Sequence, residues 1–237
     1  MMDFSLRSAE LELMDDPEMD ASKYREAYLD INRCNNLLGG YGITINAVQK
    51  LIEKASLKSY TILDMGCGDG EMLRRLSKHF RKQDVDINLI GMDLRDDVLD
   101  IARANSKDFS DIKFIKQDIL SLTTDFDCDI ILCTLTMHHF TDEQISVFIK
   151  KFADLARIGV VINDLERSKL SYLLFKIFCS VFIKTSIARY DGLVSISKGF
   201  RKNELVAFSK QIKQIKHRIS WKWAFRYVWV MQMNRLN

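Results

Sequence analysis

Five short apolar runs dominate this chain: Tyr60 to Met65, Ile87 to Asp93, Ile112 to Lys116, Asp129 to Thr134 and Ile158 to Asn163. Each is almost unbroken. A strand with one wet face would alternate apolar and polar residues, so these runs predict strands buried on both faces. Helical patterns lie between them. Met72, Leu73, Leu76 and Phe80 share a face in Glu71 to Phe80. Val98, Ile101 and Ala102 share another, and Thr141 can cap a helix carrying Ile145, Phe148, Ile149 and Phe152. Alternating strands and helices mean an α/β fold with a mainly parallel sheet between two helical layers. Crossovers should be right-handed, and a ligand should lie at the carboxyl ends of the strands.

The flanks are different. Residues 1–20 are polar, hold the only proline (Pro17), and predict an irregular arm. Tyr24, Ala27, Tyr28, Ile31, Cys34 and Leu38 follow at helical spacing and end at Gly39-Gly40, before a second helix over Ile43 to Ala55. After the fifth run comes a long helical stretch with the apolar segment Leu170 to Ile183, then a helix over Asn203 to Lys210. Ile212 to Trp221 and Trp223 to Met233 alternate like two antiparallel edge strands. The expected organisation is an arm and helical cap over the active site (1–56), then a core (57–237) with a helical insertion at about 164–200.

A chain of 237 residues, 47% hydrophobic and 28% charged, is an ordinary globular α/β domain in size and composition. Met1 to Ser5 lacks the basic and apolar regions of a secretory leader. No apolar run reaches the roughly 18–20 residues of a membrane span. The five cysteines fit no disulfide or zinc spacing and read as reduced thiols in a cytoplasmic protein. A net charge of +3 does not argue for nucleic acid. The basic residues from Lys198 to Arg226 read as a solvated face.

The first run enters the turn Asp64-Met65-Gly66-Cys67-Gly68-Asp69-Gly70, and a helix leaves it. Alternating glycines let the backbone approach a ligand, and the helix start offers free N–H groups. A dinucleotide fingerprint would place its third glycine one residue later, and the G-K-[ST] of a phosphate loop is absent. Asp64, Asp69 and Glu71 would repel phosphates. The turn therefore favours a zwitterionic or cationic ligand.

This turn resembles motif I of the class I S-adenosylmethionine-dependent methyltransferases. The resemblance implies a seven-stranded sheet in the order 3-2-1-4-5-7-6, with S-adenosyl-L-methionine as cofactor and S-adenosyl-L-homocysteine as product. It implies cofactor contacts from Asp64, Gly66, Cys67 and Gly68. Asp93 would hold the ribose hydroxyls, Leu94 and Ile119 would pack on the adenine, and Asp118 would accept from its amine. Thr134 would lie under the methionine part, and Arg33 could reach the cofactor carboxylate. Several further segments resemble bacterial methyltransferases encoded beside type III polyketide synthases. These are Glu12 to Asp16, Asn32 to Gly40, Val161 to Ser168 and Arg189 to Gly192. That narrower resemblance implies a small phenolic or polyketide-derived acceptor.

Methyl transfer to a phenol, of pKa ~10, needs one base. His139 and His138, just past the fourth run, are the candidates, and Asp164 could orient the base. Asn163, Arg189 and Tyr190 could hold the acceptor, and Leu170 to Phe182 could wall an apolar tunnel. Asn163, Asp164 and Asp142 are too thin a carboxylate set for magnesium, so no metal is expected. The expected reaction is O-methylation. Ring C-methylation by the same base, a cofactor-binding subunit without turnover, and RNA methylation stand as alternatives.

Overall fold

The computed structural model describes residues 3–16, 18–123 and 126–233; Pro17 lies outside them. The seven strands form one sheet in the order β3-β2-β1-β4-β5-β7-β6. They are β1 (Ser59–Met65), β2 (Asp86–Asp93), β3 (Ile112–Lys116), β4 (Cys128–Thr134), β5 (Ala156–Leu165), β6 (Lys216–Lys222) and β7 (Arg226–Gln232). β1 to β5 are parallel, and β7 runs antiparallel to both β5 and β6. Five of the seven β1 residues and all of β4 except Thr134 are buried, as strands covered on both faces should be.

Eight helices surround the sheet: α1 (Ala21–Leu37), α2 (Gly40–Ala55), α3 (Glu71–Arg81), α4 (Asp96–Asn105), α5 (Asp142–Leu155), α6 (Lys169–Phe182), α7 (Ser186–Lys198) and α8 (Lys202–Ser209). Val48 and Leu51 of α2 pack with Leu73, Leu76 and Phe80 of α3 on one face. Phe148 and Phe152 of α5 pack with Leu205, Phe208 and Trp229 on the other. Each such fully buried side chain contributes roughly 1.5–3 kcal/mol. Thr141 caps α5 through a reciprocal exchange with Gln144. No helix among the described residues is long and apolar enough to cross a membrane.

Three boundaries differ from the sequence reading. α2 begins at Gly40, three residues early, because Gly39 turns left-handed (φ 71°) and starts a new helix at once. A Cβ on Gly40 would stand 2.9 Å from Asn35 Oδ1 and 3.0 Å from Arg226 Cζ, so packing demands glycine there. β5 extends to Leu165, which brings Asp164 inside the sheet. β6 starts only at Lys216, since Ile212 and Ile215 pack on the core from the turn before it. Lys198 and Arg226 are buried and do not belong to a solvated basic face.

The arm is stitched down along its length. Arg167, on the connection from β5 to α6, donates to the carbonyls of Phe4, Ser5 and Gly199 and pairs with Glu204. Arg7 donates to the carbonyls of His138, Phe140 and Lys198 and pairs with Asp142 at 2.8 Å. Asp191 of α7 accepts from the Leu13 and Met14 amides at 2.7 and 2.9 Å. The arm thus ends in a short 3₁₀ turn, Leu13–Asp15, held against α7.

Arg167→Ala should leave Glu204 and three carbonyls without their partner. A loss of about 3–5 kcal/mol in urea unfolding is expected. A loss within 0.5 kcal/mol would mean that the arm is not anchored there.

Candidate active site

The carboxyl ends of β1, β2, β4 and β5 open into one cavity of about 1150 Å³. Small-molecule sites take roughly 300–1,000 Å³, so this space can hold two ligands side by side. Its walls come from the glycine turn, the strand ends, α1, the arm, α6 and the residues entering β7.

At the β1 end, Gly66, Gly68 and Gly70 all have positive φ (73°, 53° and 78°). The Gly66 and Cys67 amides donate to Met92 O at 2.8 and 3.0 Å, which ties the turn to β2. A Cβ on Gly66 would lie 2.5 Å from Thr136 Oγ1, and one on Gly68 would lie 2.9 Å from the Tyr28 ring. The acids of this turn have separate fates. Asp69 and Glu71 pair with the buried Arg74 at 3.1 and 2.8 Å, and Glu71 also pairs with Arg75. Their charge is spent within α3, so they do not repel phosphates as the sequence suggested. Asp64 has no such partner. It is buried, its Oδ1 has no hydrogen bond, and burial together with the charge of Asp93 pushes its carboxyl up to about 7. Asp93 is raised by burial as well, although it accepts from the Gly68 amide at 3.0 Å. Two under-compensated carboxylates beside an open glycine turn suit a cationic group.

Leu94 is 60% exposed on the rim of this end. Asp118 caps the turn Ile119–Ser121 through one oxygen, accepting from the Leu120 amide at 2.8 Å. Asp118 and Ile119 both line the cavity, as do Cys67 and Thr134. Arg33 does not line it. The Arg33 guanidinium pairs with Asp30 at 2.9 Å, and Asn32 faces inward in its place, donating to Asp69 at 2.8 Å.

The opposite end is built on histidines. The turn Met137–His139 follows β4. His138 Nδ1 meets Asp164 Oδ1 at 2.7 Å, and the His138 amide donates to Asp164 Oδ2 at 3.1 Å. His138 Nε2 then points at Glu12 Oε1, 3.5 Å away, from the arm. Burial opposes charge on this imidazole, but Asp164 and Glu12 together raise it to about 9. Glu12 is buried, which opposes its ionisation, yet His138, His139 and Lys198 hold it down at about 2. His138 is therefore an imidazolium between two carboxylates at neutral pH. His139 stands beside it with ring centroids 4.4 Å apart. Its Nδ1 is 3.3 Å from Asp15 Oδ1, while its Nε2, 3.7 Å from Glu12 Oε2, is beyond hydrogen-bond range. Donor atoms of Glu12, His138 and His139 lie within 4.8 Å of one another, a spacing that a metal ion could also bridge. The buried Lys198 ammonium, 3.4 Å from Glu12 Oε1, already supplies a cation to this cluster.

The three residues expected to hold an acceptor lie elsewhere. Asn163 is fully buried and donates to Gly40 O at 3.1 Å and Thr44 Oγ1 at 2.9 Å, fastening α2 to β5. Arg189 donates to Ile183 O, and the Tyr190 hydroxyl donates to Glu10 Oε1 at 2.6 Å. None of them lines the cavity. Of the α6 apolar segment, Leu174, Phe175 and Phe178 do line it, while Leu170, Leu173, Ile177 and Val181 are exposed. Glu12, Asp15, Lys198 and Arg226 were not anticipated as site residues. Only the resemblance over Glu12 to Asp16 pointed to the first two.

Comparison with known proteins agrees with this architecture. Residues 62–159 match a family model described as "Methyltransferase domain". A ubiquinone biosynthesis O-methyltransferase of Hydrogenovibrio crunogenus is 29% identical over 159 residues, 66% of this chain and 62% of that protein. One from Coxiella burnetii is 32% identical over 135 residues, 54% of each chain. The chain thus matches less than two thirds of the length of these relatives. Among solved structures, a plantazolicin methyltransferase in complex with a triazolic desmethyl analog and SAH superposes with a TM-score of 0.66 at 14% identity, covering 89% of this chain and 91% of that one. Magnesium protoporphyrin IX methyltransferase from Synechocystis PCC 6803 with bound SAH gives 0.57 at 16% identity, covering 83% and 84%. The fold is the Rossmann-like one of class I methyltransferases. Within it, residues 62–159 are the stretch that matches the methyltransferase-domain model.

The histidine end should show in stability against pH. His138 titrates higher in the folded chain than its ordinary 6.5, so its stabilisation is full below pH 6.5 and is lost as pH rises through about 9. Glu12→Gln removes one of its two carboxylates. The variant should be about 1–3 kcal/mol less stable at pH 6.5 and should lose less between pH 6.5 and 9 than the wild type. Parallel urea-unfolding profiles for the two proteins would exclude Glu12 from this charge set.

Proposed function

We propose that this protein transfers the methyl group of S-adenosyl-L-methionine to a hydroxyl oxygen of a small, largely apolar aromatic or polyketide-derived acceptor, releasing S-adenosyl-L-homocysteine. The observation that carries this reading is the cavity itself. It joins a glycine turn with an unpartnered buried carboxylate to a histidine pair walled by Leu174, Phe175 and Phe178. The methyltransferase domain match and the neighbours crystallised with SAM or SAH support the cofactor. The O-methyltransferase relatives support oxygen as the methylated atom.

The cofactor, when bound, supplies an electrophilic methyl group on a sulfonium. Asp64 Oδ1 would accept from its amino group, and Asp93 from its ribose hydroxyls. Asp93 keeps acceptor capacity because a carboxylate has about four lone-pair sites and Gly68 and Arg95 use two. Asp118 and Leu94 would hold the adenine. At the other end His139 is the base. Its Nε2 is free to take the acceptor proton, and Asp15 and Glu12 stabilise the imidazolium that forms. His138, already protonated, cannot take a proton at neutral pH. It positions Glu12 and is itself oriented by Asp164. Holding donor and acceptor in line within one closed wall supplies the remaining rate gain.

Burial and Asp93 push Asp64 up to about 7, so a cationic amine should bind more tightly as pH rises from 5.5 to 7.5. Calorimetry with S-adenosylhomocysteine should show that rise in the wild type. Asp64→Asn should bind about tenfold or more weakly with no pH trend, and Asp93→Ala should also lose about tenfold or more. Unchanged affinity in either variant would remove that residue from the cofactor site. His139→Ala should slow methyl transfer to an active phenol by about 10²–10⁴-fold while SAH affinity stays within about twofold. Unaltered single-turnover rates would place the base elsewhere.

A further inference from the structure

Arg226 opens β7 and lines the cavity. It is 3% exposed. Its Nη2 donates to Asn35 Oδ1 at 2.7 Å, a neutral amide, while Nε and Nη1 are buried with no hydrogen-bond partner. Other buried arginines here are treated differently. Arg74 has Asp69 and Glu71, and Arg167 has Glu204 and three carbonyls. A buried cation with two idle donors costs several kcal/mol in effective desolvation. Burial indeed lowers the tendency of this guanidinium to stay charged. The nearby carboxylate, Asp164, is committed to His138.

Position selects between two possible anions. Arg226 pairs with Leu165 across β5 and β7, one residue beyond the Asp164 that holds His138. Three strand steps separate β7 from β1, about 14 Å at the usual strand spacing. Its backbone therefore lies three strands from the glycine turn, where the amino acid part of the cofactor would lie, and next to the strand position that holds His138. The planar fork of an arginine matches a carboxylate in geometry and charge.

We propose that Arg226, braced by Asn35 and by the bare face of Gly40, anchors a carboxylate carried by the acceptor, so that the substrate class is a hydroxylated aromatic acid. This rests on the methyl-transfer reading above and narrows it. The acid group sits on Arg226, and the ring bridges toward the histidines. The hydroxyl reaches His139, and the apolar wall from α6 covers the ring. Asn35 belongs to the segment Asn32 to Gly40 singled out in the sequence, and this role accounts for it.

The test uses full-length protein. S-adenosylhomocysteine is titrated first by calorimetry. Then 4-hydroxybenzoate, 4-hydroxyphenylacetate and 4-hydroxycinnamate are each compared with their methyl esters on the SAH-saturated protein. At least one acid should bind tenfold or more tightly than its ester. Arg226→Met should abolish that preference, keep SAH affinity within twofold and melt no lower than the wild type. Equal binding of every acid and ester by the wild type, or binding of none, overturns the proposal without any variant. A tenfold loss of SAH affinity in Arg226→Met also overturns it, since the carboxylate would then be that of the cofactor. If SAH fails to bind the wild type, the methyl-transfer reading falls first and this inference with it. Failure of the acid–ester comparison alone overturns only this inference.

Discussion

The contact between Asp164 and His138 is the joint on which the site depends. One carboxylate takes both the ring and the backbone amide of the histidine, so the imidazole has a single orientation. That contact fixes the turn after β4 to the end of β5, strands already paired at Thr134 and Asn163. With Nδ1 engaged, Nε2 must face outward from the sheet, and the arm answers it with Glu12. A buried pair of this kind is weak evidence for stability in itself, but breaking it from one side costs about 3–5 kcal/mol. The arm, the turn and the sheet are therefore coupled through one imidazole.

The charges of the cavity separate once the internally paired ones are set aside. Asp69 and Glu71 are neutralised by Arg74 and Arg75 at the start of α3. Glu12 and Asp164 are matched by His138 and Lys198, and Asp15 lies beside Lys198 and His139. What is left over is negative at the glycine turn, from Asp64 and Asp93, and positive at the far wall, from Arg226. A cationic donor at one end and an anionic acceptor at the other would complete both. The proposed reaction would run in the same sense, since a sulfonium loses its charge as a deprotonated oxygen attacks.

The sheet was legible because its signal is local. Unbroken apolar runs define strands buried on both faces, and the helical patterns between them define parallel crossovers. The strand order came from the resemblance at the glycine turn, and the structure has that order. The glycine-turn end of the cavity was also legible in placement, since Asp64, Gly66, Gly68, Asp93 and Asp118 lie at or just past strand ends and all line the cavity. The acceptor end was not. Asn163 follows the same rule of position, but its side chain points to the α2 side and is consumed by Gly40 and Thr44. Glu12 and Arg226 lie 214 residues apart, and no local pattern joins them. Arg226 sits among other basic residues of an alternating strand, and nothing local distinguishes it from the exposed Lys222. Only tertiary packing turns one into a buried cation.

The arm bears on how ligands enter. Arg167, Arg7 and Asp191 hold it at successive points, and the Tyr24 hydroxyl donates to the carbonyls of Met14 and Asp16 at its end. A segment tied by charged groups to so many backbone atoms is a wall. Access must then come from rims that are exposed while also lining the cavity. Leu94 is such a rim at the donor end, and Leu174 and Trp223 form another at the acceptor end. All three are large apolar side chains facing water at an opening, where a ring laid against them would remove apolar surface at roughly 25 cal/mol per Å². In the proposed reaction, donor and acceptor would enter over different rims, and the fixed arm keeps Glu12 on the histidines whichever is filled first.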